Sequence, residues 1–263
     1  MDDLLAALLL GVIEGITEFL PISSTGHLLI AQHWLGPRPD YFNIAIQSGA
    51  ILAVCLIYRE RLRNLVFGLH QPAQRSYALK IAAAFGVTAV LGLIVKKAGW
   101  QLPDTVTPVA WALIIGGVWI LLAERLAERR PGGSEVTWLV AILVGLAQVV
   151  AGVFPGTSRS AATIFVAMLA GTRNRSEATE FAFLVGIPTM FAATAYELLR
   201  ALGQDGVGDD ADALVLAFLA ACVTGFLAVR FLLGYIRHHR FTGFAVYRIA
   251  LGAALLLGLP AGS

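Results

Sequence analysis

Charge is what this chain has least of. Only 14% of its 263 residues are Asp, Glu, Lys or Arg, against roughly 25% in a soluble domain. The formal net charge of +2 gives no basic surface for nucleic acid, and no nucleic-acid partner is expected. Cysteine is nearly absent as well. Cys55 and Cys222 both sit in apolar runs, where they read as small buried hydrophobes, which excludes a disulfide framework and a thiolate-built metal site. A basic leader is missing too: the first apolar run follows Asp2 and Asp3 and itself contains Glu14 and Glu18, unlike a cleavable signal peptide. No polar stretch is long enough to form a soluble domain.

What is present is apolar. Hydrophobic residues make up 58% of the chain and the mean hydropathy is +0.77, so the expectation is one integral membrane domain over residues 1–263, all-α and multi-pass. Apolar runs at 41–58, 77–97, 107–126, 181–200, 213–234 and 244–260 are expected to span. Runs at 4–20 and 24–35, broken at Pro21, and at 137–154 and 159–170, broken at Pro155, are too short to span comfortably. Each pair is expected to form a re-entrant helical hairpin, with its tip inside protein or against a water-filled cavity. Gly11 and Gly15 have the spacing for close helix packing. The stretch from Arg59 to Lys80 is taken as a loop.

The two hairpins are related. Gly11-Val-Ile-Glu14-Gly-Ile-Thr-Glu18-Phe-Leu-Pro21-Ile-Ser23-Ser24 aligns without gaps onto Gly145-Leu-Ala-Gln148-Val-Val-Ala-Gly152-Val-Phe-Pro155-Gly-Thr157-Ser158, about half a chain later. Repeat 1 covers about 1–130 and repeat 2 about 135–263, each one hairpin plus three spans. Three is odd, so the halves are expected to be inverted. The positive-inside rule agrees. The arginine-bearing loops Arg59–Lys80, Arg125–Arg130, Arg173–Arg175 and Arg237–Arg240 fall on one side, taken as cytoplasmic. The loops Gly36–Asp40, Lys97–Thr107 and Ala201–Asp212, the last with Asp205, Asp209, Asp210 and Asp212, fall on the other. Lys96 and Lys97 are a mild exception. The hairpins would then enter from opposite faces, their tips meeting near mid-membrane.

Ionisable groups at that depth are expensive and persist mainly where they work. Glu14 and Glu18, one turn apart, share a helix face. Two adjacent carboxylates repel, so a cation or a shared proton is expected. They could hold Mg²⁺ or Ca²⁺ against a phosphate or act as a general base to a hydroxyl. After Pro21 come Ser23, Ser24, Thr25 and His27. The hydroxyls suit caps, and one of them suits a nucleophile. His27, three residues beyond Ser24, suits proton transfer as well as a buried structural role. At the second tip, Ser158, Arg159, Ser160 and Thr163 open a helix. Such a start offers backbone N–H groups to an anion, and the Arg159 fork suits phosphate. The alternative is that Ser158 and Ser160 cap a helix and Arg159 marks a membrane border. From the residues alone the reading ends at an intramembrane anion or phosphate site.

Glu14-xxx-Glu18-Phe-Leu-Pro-x-Ser-Ser24-Thr-Gly-His27 and Pro155-Gly-x-Ser-Arg159-Ser-x-x-Thr163 resemble the two signature motifs of the bacterial undecaprenyl-diphosphatase family, the bacitracin-resistance type. The stretch from Phe42 to Leu62 and Glu180-Phe-x-Phe-Leu are also similar, so the resemblance covers essentially the whole chain. It implies a hydrolase of the bacterial plasma (inner) membrane that converts undecaprenyl diphosphate to undecaprenyl phosphate and inorganic phosphate. That reaction recycles the lipid carrier of peptidoglycan and cell-wall synthesis and gives bacitracin resistance. By match to the motifs, the resemblance implies Glu14 and Glu18 for metal binding or base catalysis, Ser24 as nucleophile and His27 as its proton-transfer partner. It implies Arg159, Ser158, Ser160 and Thr163, with Ser23 and Thr25, for the diphosphate. A divalent cation, Mg²⁺ or Ca²⁺, and an active site facing the periplasm come with it. Homo-oligomer formation is left open.

A second class stays in play. Inverted repeats with paired re-entrant tips are transporter architecture, and fold does not set function. A transporter or flippase of a lipid phosphate or ion-coupled solute would need Glu14, Glu18 and Arg159 but not Ser24 beside His27. A purely structural scaffold leaves the buried charges unexplained.

Overall fold

In the computed structural model, residues 3–99, 106–129, 133, 135–204 and 211–258 are described. Among them every regular element is a helix: α1 (Asp3–Phe19), α2 (Ser24–Leu35), α3 (Asp40–Ile57), α4 (Arg59–Phe67), α5 (Pro72–Lys97), α6 (Val106–Arg129), α7 (Trp138–Val153), α8 (Arg159–Ala170), α9 (Arg175–Gln204), α10 (Ala211–His238) and α11 (Thr242–Gly258). Five of these, α3, α5, α6, α9 and α10, are long and apolar enough to cross a membrane, so the chain is a polytopic membrane protein. The run expected as a sixth span is the apolar helix α11, at 17 residues shorter than these five. Their outer faces are apolar where a soluble helix would be charged. On α10, Val215, Leu219, Val223, Leu227 and Phe231 recur every four residues and are all exposed.

Two boundaries differ from expectation. The stretch after Arg59 is not all loop: residues 59–67 form α4, and α5 begins at Pro72, a residue pre-set for a first helical turn. Helix α9 runs from Arg175, well before the apolar run, and continues through Pro188. The polar first turns hid both starts from a reading based on apolar length. Arg130, the 131–132 turn, the 100–105 loop and Asp205, Asp209 and Asp210 lie outside the described residues.

Helices α1 and α2 pack together as one hairpin and α7 and α8 as a second. Helix α1 packs along α10, and α7 along α5; α6 pairs with α11, and α3 with α9. Inside lipid, helix association relies on close packing rather than on water expulsion. Small residues permit it here: a Cβ on Gly11 would collide with the Ala217 carbonyl, and one on Gly15 with that of Ala221.

Ion pairs gather at the two ends of the bundle. At one end Arg61 meets Glu180 at 2.9 Å, Arg175 meets Glu124 and Glu128 at 3.0 Å each, and Arg240 meets Glu128 at 2.9 Å. The Phe241 amide also donates to both Glu124 oxygens, so this buried carboxylate is fully partnered. At the other end Arg38 pairs with Asp3 at 2.6 Å, and Lys96 with Glu197. Between the two ends the hairpin tips meet.

Candidate active site

Each tip is a Pro-containing turn closed by a serine N-cap. Ser23 accepts from the Gly26 amide and Ser158 from the Ala161 amide, both at 3.3 Å. Both serines are held at positive φ, 75° and 70°, a conformation that costs a non-glycine residue about 1–3 kcal/mol and tends to occur where a site requires it. The shared geometry corrects the gapless register of the repeat. Ser23, not Ser24, is the structural partner of Ser158. The second turn holds one residue more, accommodated by Gly156 at φ 92°, where a Cβ would stand 2.8 Å from the Val109 carbonyl. The first residues of α2 and α8, Ser24 and Arg159, are therefore equivalent.

Both reach the same carboxylate. The Ser24 hydroxyl donates to Glu18 Oε2, and Arg159 Nη2 donates to Glu18 Oε1 at 2.7 Å. Arg159 also touches Gln47 Oε1 of α3 at 3.3 Å. Ser160 ties the tips together, donating to the Leu20 carbonyl at 3.0 Å while lying 3.0 Å from the Ser158 hydroxyl. One turn back along α1, Glu14 is fully buried, and neither carboxylate oxygen has a hydrogen-bond partner. A cavity of about 20 Å³ opens beside Glu18 and Arg159, walled by Phe19, Phe183 and Met190. That is room for about one water molecule.

The other expected residues fall around this centre. His27 does not face Ser24. Its Nδ1 lies 2.7 Å from the Ser23 carbonyl, which can only accept, so Nδ1 carries the proton. Its Nε2 lies 2.7 Å from the Tyr247 hydroxyl, the two rings stacked at 8°. Thr163 is buried and donates to the carbonyls of Arg159 and Ser160. Thr25 is exposed.

Three residues at the tips were not among the sequence candidates: Gln47, Tyr247 and Arg248. Arg248 is wholly buried. Its guanidinium donates to five carbonyls: Pro21 of the first tip, Gly156 and Thr157 of the second, and Ala112 and Leu113 of α6. Gly116 makes room for it, since a Cβ there would collide with Nη2. A signal did exist. Arg248 is the only charged residue of α11, and a charge within a span marks function by default. Gln47, a neutral residue in an apolar run, offered none.

Hard cations take oxygen donors, and Mg²⁺ is commonly held by one or two carboxylates together with substrate phosphates. The two partnerless Glu14 oxygens beside Glu18 fit that pattern. No group of three or more His, Cys, Asp or Glu side chains able to hold a metal occurs among the described residues, so substrate oxygens would have to complete the coordination.

Against known families, residues 7–254 match the bacitracin resistance protein BacA model. The chain belongs to the BacA family. The chain is 65% identical over 263 residues to a protein of Xanthomonas axonopodis pv. citri, covering 99% of both. It is 65% identical over 260 residues to one of Rhizobium johnstonii, covering 98% of both. Both relatives carry the name undecaprenyl-diphosphatase. Across this BacA-family chain, both motifs lie inside the matched region.

Proposed function

We propose that the chain hydrolyses undecaprenyl diphosphate to undecaprenyl phosphate and inorganic phosphate in the bacterial plasma membrane, recycling the lipid carrier of cell-wall synthesis. The observation that carries the reading is the convergence of Ser24 and Arg159 on Glu18 at the junction of two membrane-buried tips. A hydroxyl beside a carboxylate base, next to a phosphate-matching guanidinium, is the equipment of phosphoryl transfer. The relatives' name favours cleavage over transport.

In this mechanism Arg159 leaves Glu18 for the diphosphate, joined by the free amides of the first turns of α2 and α8. Glu18, released, takes the Ser24 proton. Ser24 Oγ forms a bond to the terminal phosphorus as the bridging P–O bond breaks, and undecaprenyl phosphate departs. Water then cleaves the phosphoserine and restores Ser24. A divalent cation bound by Glu14 and Glu18 would neutralise charge on the phosphate oxygens. His27, held through Tyr247, stands ready to exchange protons at the mouth of the site. The prenyl tail stays in lipid, so the head group alone has to reach the tips. Two inverted repeats making up one domain, with the arginine-rich end cytoplasmic and the site open to the periplasm, complete the reading. The exchanged packing of α1 on α10 and α7 on α5 supports the repeat, and the clustering of the arginine pairs at one end supports the orientation.

The test is phosphate release from undecaprenyl diphosphate by purified protein in detergent, with and without EDTA, compared with Ser24→Ala and Arg159→Ala. Release that chelation and both substitutions abolish is expected. Absence of release from folded wild type supplied with Mg²⁺ or Ca²⁺ would overturn the phosphatase and favour transport.

A further inference from the structure

A cavity lies away from the tips, at the elbow between α4 and α5. It measures about 390 Å³ and is lined by Arg63, Asn64, Phe67, His70, Gln71 and Gln74, among others, within the size range of small-molecule sites. None of its lining residues is a carboxylate. Arg63 has no ion-pair partner among the described residues, whereas its neighbour Arg61 is committed to Glu180 and stacks over Tyr77 with its guanidinium carbon 4.5 Å from the ring centroid. That anchor and the buried Leu65 pin one face of α4 to the bundle and turn Arg63 and Phe67 outward. The rim is strongly apolar: Val66, Phe67 and Leu69 are 62%, 76% and 47% exposed. Helix α4 follows directly on the spanning helix α3, and α5 leaves the elbow as the next span, so this rim sits at the bilayer edge.

We propose that the α4–α5 elbow is a binding site for the head group of an anionic phospholipid of the leaflet at the arginine-rich end. Arg63 supplies the charge for the phosphodiester; His70, Asn64 and the Gln71 and Gln74 amides supply hydrogen-bond donors. Val66, Phe67 and Leu69 lie along the acyl chains. The apolar rim sets the lipid apart from a free anion, which would gain nothing from three exposed hydrophobes, and amphipathic basic helices bind anionic bilayers in this way.

The protein is purified from mixed phosphatidylcholine and phosphatidylglycerol nanodiscs, and retained lipid is read by native mass spectrometry. Wild type is expected to keep phosphatidylglycerol in preference to phosphatidylcholine. Arg63→Gln is expected to lose about fivefold of that preference, the worth of one cation near an anionic surface, and Phe67→Ala to retain less of both lipids with the preference kept. Equal retention by wild type and Arg63→Gln would overturn the proposal. Displacement of the lipid by inorganic phosphate would show a free-anion site instead. Should Arg63→Gln fold poorly, a photoactivatable phosphatidylglycerol decides on wild type: cross-links within residues 63–74 support the site, and cross-links confined elsewhere overturn it.

Discussion

The two hairpins share a backbone design and differ in chemistry. Each ends an apolar helix with a Pro turn, caps the next helix with a serine at positive φ, and buries a polar side chain one turn before the tip region. In the second hairpin that side chain is Gln148, which is partnered through one atom: its amide nitrogen donates to Thr88 of α5 at 3.1 Å, and Thr88 donates in turn to the Gly145 carbonyl at 3.0 Å, while Gln148 Oε1 has no partner among the described residues. In the first hairpin it is Glu14, with no partner for either oxygen. At the following turn Gly152 carries no side chain, whereas Glu18 gathers Ser24 and Arg159. The same fold thus yields an amide tied to a neighbouring helix and a carboxyl group with neither oxygen bonded. Burying unpartnered polar atoms costs stability, and the proposed substrate and cation are what would offset it.

The largest effect that tests this contrast is loss of the hydroxyl at the charged tip. Ser24→Ala is expected to lower phosphate release by about 10³-fold or more, while Ser158→Ala, at the other tip, costs about 1 kcal/mol of stability as a lost cap. A smaller difference in turnover between the two variants would break the assignment of chemistry to the first hairpin. Next is Glu18→Gln, which removes the base and the Arg159 partner together. Turnover should fall by about 10²–10⁴-fold, and Glu18→Asp should recover less than full rate because the shorter side chain cannot reach both Ser24 and Arg159.

Glu14→Gln sharpens the comparison by giving the first hairpin the residue of the second. Activity should drop, and the activation by added Mg²⁺ or Ca²⁺ should weaken. The mildest effect falls on the neutral copy. Thr88→Val removes the donor to Gly145 and the acceptor for Gln148, costing about 1–3 kcal/mol, with turnover per folded molecule little changed.

Much of this was legible in the sequence, for identifiable reasons. Proline followed at once by hydroxyls and the start of a second short helix marked both hairpin tips; proline alone does not, since α9 continues through Pro188. Paired carboxylates at helical spacing marked the first tip, and hydroxyls beside an arginine the second. What the sequence hid was three-dimensional. The one-residue difference in turn length is invisible to a gapless alignment, so the equivalence of Ser24 and Arg159 appears only when both caps are seen at positive φ. The distance between Ser24 and His27 in sequence suggested a pair, yet a carbonyl one turn back and a tyrosine more than two hundred residues away hold the ring. Polar helix starts, as in α4 and α9, carry no apolar length to announce them.

Arg248 has a mechanical consequence. Its guanidinium grips the carbonyls of both tips and of α6 at once, and a hydrogen bond to a charged group is worth about 1.5–3 kcal/mol. A machine that carried cargo across the membrane by rocking one half against the other would have to tear this clasp open in every cycle, deep in lipid where no water replaces the lost bonds. Under the proposed phosphatase the clasped backbone of the tips would act as a fixed anvil, and the lipid head group would be what travels to it.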